Sequence, residues 1–259
     1  MCGITGFLAS RNAPPATGLD ATIARMAATL EHRGPDEQGV WVDAAIGCAL
    51  GHRRLSIIDL SAHGTQPMHS ACGRYVIVFN GEIYNHGELK NELARAGAAP
   101  VWRGHSDTEI MLAAIVHWGV NAATARFTGM FAFALWDREA QTLTLARDRA
   151  GEKPLYYGQV GDSFAFGSEL KALRAHPAWR GDIDRDALAL FMRYACVPAP
   201  YSIYRGIRKL PPGSLLTFRT GTAPGDLPEP SAYWSANAVA AAGQRAPFAG
   251  TVAAAADEL

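Results

Sequence analysis

Long apolar runs are missing from this sequence. Nothing approaches the roughly 18 consecutive apolar residues of a membrane-spanning helix, and no basic segment leading into an apolar stretch stands at the N-terminus as a secretory leader would. Excess charge of one sign is missing as well. Lys and Arg number 24 against 24 Asp and Glu, which removes the basic surplus expected of a dedicated nucleic-acid binder. Neither a membrane nor a nucleic acid is therefore an expected partner. Cysteine is sparse: Cys2, Cys48, Cys72 and Cys196 are far apart, with no CxxC pair and no zinc-finger spacing, so no metal site is expected. A cytoplasmic, reducing location fits these features and would suit a working thiolate. What is present is ordinary globular material, 49% hydrophobic and 19% charged over 259 residues, enough for one large domain or a domain with an appendage.

One of the four cysteines stands out by position. Met1-Cys2-Gly3-Ile4-Thr5-Gly6-Phe7 puts a thiol directly behind the initiator methionine and ahead of a strand-like apolar run. If Met1 is removed, Cys2 carries a nucleophile and a free α-amine on one Cα. That amine titrates at about 7.7 to 8.0, so it can accept the thiol's proton directly or through a water, as in N-terminal Thr nucleophiles. The alternative is a small buried hydrophobe, the more usual fate of a free cysteine.

Periodicity organises the rest. Leu19, Ile23, Met26, Ala27 and Leu30 fall at helical spacing, and His32-Arg33-Gly34-Pro35-Asp36 ends that helix in a turn. Val40 to Val42, Ile46 to Leu50 and the continuous run Tyr75 to Phe79 read as strands, the last covered on both faces. Asn80-Gly81 reads as a tight turn closing that strand, with a polar helix from about Gly87 to Ala96 after it. Ser106-Asp107-Thr108-Glu109 has the form of a capping box, opening a helix whose apolar face is Met111, Ala114, Ile115 and Trp118. Short strands at Met130 to Trp136, Thr142 to Arg147, Leu155 to Tyr157 and Phe164 to Phe166 read as a second sheet. Short helices at Glu169 to Ala175 and from Asp184, and an extended excursion around Pro211-Pro212-Gly213, complete the pattern. Two stranded regions with helices between and after them predict a layered α/β architecture of packed sheets with helices outside.

Several positions have side chains suited to acyl transfer, each with a purely structural alternative. Asn80-Gly81 offers a side-chain amide and a backbone N–H to a developing oxyanion, or is a plain Asx turn. Arg54 suits a substrate carboxylate, or is a strand-edge arginine. Asp107, in the first turn of a helix, suits a substrate ammonium, or simply complements the helix dipole. Glu82 is a substrate contact or a solvated turn residue.

The blocks Cys2-Gly3-Ile4-Thr5-Gly6, His32-Arg33-Gly34-Pro35-Asp36, Arg54-Leu55-Ser56-Ile57-Ile58-Asp59, Asn80-Gly81-Glu82-Ile83-Tyr84-Asn85, Ser106-Asp107-Thr108-Glu109, Gly129-Met130-Phe131-Ala132-Phe133-Ala134, Lys153-Pro154-Leu155-Tyr156-Tyr157 and Ser168-Glu169-Leu170-Lys171-Ala172-Leu173 occur in an order that resembles the N-terminal glutaminase domain of glutamine-hydrolysing asparagine synthetases. The resemblance covers about residues 2–218. It implies a class II glutamine amidotransferase, an N-terminal-nucleophile hydrolase whose αββα sandwich packs two mainly antiparallel sheets between helices. By the same likeness Cys2 is the nucleophile, and Asn80 with the Gly81 N–H forms the oxyanion hole. Arg54 holds the α-carboxylate of L-glutamine and Asp107 its α-ammonium, with Leu55, Ser56, Ile57, Ile58 and Glu82 around the substrate. A zwitterion needs one cation and one anion at its head, and the implied set supplies both.

Ala150 and Glu152 depart from the aliphatic residues usual in the family. No Ser-Gly-Gly-x-Asp-Ser pyrophosphate loop occurs in the sequence. The expected organisation is therefore a glutaminase domain over 2–218, a Gly-, Pro- and Ala-rich linker over 219–250, and the start of a C-terminal synthetase domain at 251–259. The glutaminase half is expected to need no cofactor. ATP and magnesium would belong to the synthetase half, and a homodimer stays open. Two rival readings remain: a non-catalytic glutamine-binding or supporting domain, and an N-terminal-nucleophile amidase with another amide substrate.

Overall fold

The computed structural model describes residues 1–9, 18–56, 61–223 and 225–257. In chain order the elements are β1 (Gly3–Leu8), α1 (Leu19–Ala28), β2 (Glu37–Asp43), β3 (Cys48–Arg54), β4 (Met68–His69), β5 (Tyr75–Ile83), α2 (His86–Arg95), α3 (Asp107–Trp118) and α4 (Val120–Arg126). There follow β6 (Gly129–Asp137), β7 (Thr142–Arg147), β8 (Tyr156–Val160), β9 (Ser163–Gly167), α5 (Leu170–Arg174), α6 (Arg185–Tyr194), β10 (Ile207–Lys209), β11 (Ser214–Arg219), β12 (Ser231–Ala232), α7 (Ala236–Arg245) and α8 (Val252–Asp257). One sheet runs β10-β8-β9-β1-β3-β2 and the other β12-β11-β7-β6-β5-β4, with antiparallel pairing throughout both ladders.

Side-chain alternation along the strands builds the layers. In β1, Ile4 and Leu8 join Cys48 and Leu50 of β3 against Val76, Val78, Ala132, Ala134 and Trp136 of the other sheet. Phe7 points the opposite way, into a cluster with Ile23 and Met26 of α1 and Leu173 of α5. On the far side of the second sheet, Ile77, Phe79, Phe131 and Phe133 pack on Leu89, Leu93, Met111 and Ile115 of α2 and α3. The expected αββα sandwich is therefore what the chain forms. His52 tacks the two sheets together, its Nε2 donating to the Phe79 carbonyl at 3.0 Å. Burial pushes the pKa of this histidine down to about 4, against the pull of that hydrogen bond, so its imidazole is neutral.

Three expectations need correction. Asn80-Gly81 is not a turn: β5 runs on through both residues to Ile83, paired with β6 from Tyr75↔Asp137 to Ile83↔Gly129. Gly81 is required there for close approach, since a Cβ would lie 2.2 Å from the Met130 carbonyl oxygen. Second, the strands from Met130 to Phe166 do not form one sheet. β6 and β7 stay beside β5, whereas β8 and β9 return to β1, because alternation reveals that a strand exists and not which edge it joins. Third, the Ile46 to Leu50 strand begins at Cys48 and continues to Arg54, so Arg53 and Arg54 lie within it.

The Ser106 cap forms, its hydroxyl accepting from the Thr108 N–H. The reciprocal half of the box does not, since Glu109 takes the Arg103 and Gly104 N–H groups instead. The stretch after Thr220, expected as a linker, contains β12 on the edge of the second sheet and α7, which buries no residue.

Candidate active site

Cys2 immediately precedes β1, the strand held between β3 and β9. Its Sγ lies 3.4 Å from the Leu55 N–H that donates to it and 3.6 Å from the Leu55 carbonyl. Burial pushes the thiol pKa up, opposed by the Leu55 N–H, the terminal ammonium and Arg54. Two of the sequence blocks hold its backbone. Arg33 Nε donates to the Cys2 carbonyl at 2.9 Å and Arg33 Nη1 to Glu169 at 3.0 Å. Glu169 also accepts from His32 and pairs with Lys171 at 3.1 Å. Although burial works to raise the pKa of Glu169, these three partners outweigh it and hold the carboxyl at about 2. Next to it, Ser168 Oγ accepts the Ile4 N–H while the Ser168 N–H returns to the Ile4 carbonyl.

A cleft of about 100 Å³ opens beside the thiol. Its walls bring together Cys2, Arg54, Leu55, Asn80, Gly81, Glu82 and Asp107 from the ends of β1, β3 and β5 and the start of α3. Asn80 is 1% exposed, and neither its Oδ1 nor its Nδ2 has a hydrogen-bond partner. A buried side-chain amide left in this condition costs on the order of 1–3 kcal/mol, so a ligand that pairs with it recovers that energy.

Arg54, nearly buried, donates to Glu37 at 3.0 Å and to the Ser61 carbonyl. Asp107, also nearly buried, is the first residue of α3 and accepts the Ile83 N–H on Oδ2 at 2.9 Å. Burial pushes its carboxyl pKa up, and Glu82 adds to the shift. The Ile83 and Thr108 N–H groups and His86 oppose it.

Ser56 is outside this wall and donates its N–H to Asp36 at 2.8 Å. Ile57 and Ile58 lie outside the described residues. The cleft also contains residues to which the sequence assigned no role, chiefly Gln66, Thr108 and Lys153. Lys153 is 4% exposed, and its Nζ lies 3.1 Å from the thioether of Met1, which lines the same cleft. Among the described residues no group of three or more His, Cys, Asp or Glu side chains could hold a metal ion, and no helix is long and apolar enough to cross a membrane.

Residues 1–234 match the family model described as a glutamine amidotransferase domain. The chain belongs to that family. This amidotransferase domain is 38% identical over 223 residues to asparagine synthetase [glutamine-hydrolyzing] 3 of Bacillus subtilis, with 84% of this chain and 35% of that protein covered. It is 42% identical over 232 residues to a putative asparagine synthetase [glutamine-hydrolyzing] of Mycobacterium tuberculosis, at 85% and 35% coverage. The chain thus spans about a third of the length of these relatives. Among solved structures, the domain shares its fold with glutamine phosphoribosylpyrophosphate amidotransferase of B. subtilis, at a TM-score of 0.63 and 18% identity, covering 90% of this chain and 49% of that one.

Proposed function

We propose that the domain hydrolyses the side-chain amide of L-glutamine through a Cys2 thioester. The observation that carries this reading is the unpaired, buried Asn80 amide in one cleft with a thiol, a guanidinium and a carboxylate. Removal of Met1 frees the Cys2 amine and clears the Met1 side chain from the cleft. The amine takes the thiol proton, sulfur attacks the amide carbon, and Asn80 Nδ2 with the Gly81 N–H receives the negative oxygen. As the tetrahedral intermediate collapses, the carbon–nitrogen bond breaks, the proton passes to the leaving nitrogen and ammonia departs. Water then cleaves the γ-glutamyl thioester to glutamate and returns the thiol. Arg54 and Asp107 bind the α-carboxylate and α-ammonium, with Glu82 beside them.

Because the relatives named as asparagine synthetases extend well beyond this region, the ammonia is assigned to an ATP-dependent synthetase domain of the whole protein, in the cytoplasm. The glutaminase chemistry itself calls on no cofactor. Cys2→Ala should abolish glutamine hydrolysis, measured as glutamate release, while the circular dichroism spectrum stays unchanged; retained hydrolysis would refute the nucleophile. Intact-mass measurement should show loss of Met1 in the active protein. Faster turnover of another primary amide than of glutamine would favour the general amidase reading.

A further inference from the structure

Gln66 touches both halves of the cleft. Its Oε1 accepts the Phe79 N–H at 2.6 Å, and its Nε2 lies 3.4 Å from Thr108 Oγ1. A backbone N–H can only donate, so the amide oxygen must face Phe79 and the NH2 must face Thr108. An NH2 also only donates, so the Thr108 hydroxyl accepts from it and directs its own proton onward. The acceptor within reach is Asp107 Oδ1, at 3.4 Å, while Oδ2 already accepts the Ile83 N–H. The direction of every bond in the chain from Phe79 to Asp107 is thereby forced. Phe79 and Ile83 flank Asn80, Gly81 and Glu82 on β5, so one acid is tied to both ends of the segment that contains the oxyanion donors.

We infer that Gln66, acting through Thr108, is a positioning residue that presents Asp107 as a fixed acceptor for the substrate ammonium. This rests on the assignment of Asp107 proposed above. Charged or titratable groups around Asp107 include Glu82 of β5, His86 of α2, and Cys2, Arg54 and Lys153 lining the same cleft. None of them reaches Phe79 and Thr108 together as Gln66 does.

The test compares glutamine with 4-carbamoylbutanoate, the same amide without an α-amine, as substrate or, where turnover is slow, as competitive inhibitor. Asp107→Asn, Gln66→Leu and the near-isosteric Thr108→Val would be measured in this chain. Thr108→Val should lower the preference for glutamine over the analogue by about tenfold, the effect of losing one hydrogen bond to a charged group, and Gln66→Leu by about fivefold, the effect of losing a neutral one that orients it. The Gln66 change should add little in an Asp107→Asn background. Equal losses on both compounds would reduce Gln66 to a structural support and overturn the inference. If Asp107→Asn itself leaves the preference unaltered, the ammonium assignment fails instead. A lowered preference in Asp107→Asn alone sinks only the role of Gln66.

Discussion

Two partly or largely buried carboxylates near Cys2 make a useful pair. Glu169 is surrounded by Arg33, His32 and Lys171 and held at about 2. Asp107 is compensated mainly by backbone N–H groups, and its pKa is raised. The first has its counter-charges within the fold and serves to fix the Cys2 carbonyl through Arg33. The second is short of positive charge and faces a cleft. The difference separates an acid whose counter-charge lies within the fold from one whose counter-charge, on the proposed reading, comes with the substrate, since burial penalises an ionised group unless charge is supplied close by. Asn80 extends the lesson to a neutral group: it is buried with neither side-chain polar atom paired, which suits the oxyanion role proposed for it.

The comparison breaks first at Asn80. Asn80→Ala should lower kcat for glutamine by about 10²–10³-fold, the usual loss for one oxyanion donor, without lowering thermal stability, because no internal partner is lost. A fall in Tm with kcat preserved would reverse the assignment. Next, Asp107→Asn should raise the glutamine KM by about tenfold or more while Tm holds or rises, since Asn can still accept the Ile83 N–H and no longer has a charge to bury.

Glu169→Gln should behave oppositely. It should cost about 1–3 kcal/mol of stability, discounted toward the lower end because the site is partly solvated, or a few degrees in Tm, with KM little changed. The smallest effect is in acid. A carboxyl held below its unfolded pKa stabilises the fold above that unfolded value and loses the contribution as pH falls through about 2; Glu169→Gln should therefore flatten the decline of stability between about pH 4.5 and 2. Asp107 has the opposite sign: its raised pKa is a cost of ionisation that acid relieves as pH falls from the folded pKa to the unfolded value of 3.8, so Asp107→Asn should remove that gain above 3.8 and leave the slope below it unchanged. Denaturant titrations from neutral pH down to about 2 would show whether the two variants depart from the parent in these separate windows.

The sequence exposes this contrast unevenly. The apolar continuity of Tyr75 to Phe79, the helical spacing of Leu19 to Leu30 and the Ser106 cap are local patterns, and each appears where it was expected. Cys2, Arg54, Asn80, Gly81, Glu82 and Asp107 were legible as a set through their motif blocks. Edge selection by β8 and β9 was not, because both faces of those strands are apolar and either sheet would have taken them. Nor was the extension of β5 through Asn80-Gly81, where local turn preference is overridden by nine residues of pairing with β6. Gln66 and Lys153 escaped notice for another reason: their importance lies in contacts to Phe79, Thr108 and Met1, distant in sequence, and no spacing rule encodes them.

The placement of β1 also governs when the enzyme comes into being. Its register with β9 joins Thr5 to Gly167 and Leu8 to Phe164, while its other neighbour, β3, ends at Arg54. On the ribosome the strand that follows Cys2 would gain one flank once β3 is made and wait 110 further residues, from Arg54 to Phe164, for the first pairing with the other, so the arrangement around Cys2 arises only after most of the sandwich has been translated. Pairings of such long range tend to form slowly, and a nascent polypeptide arrested before Ser163 would therefore be chemically silent.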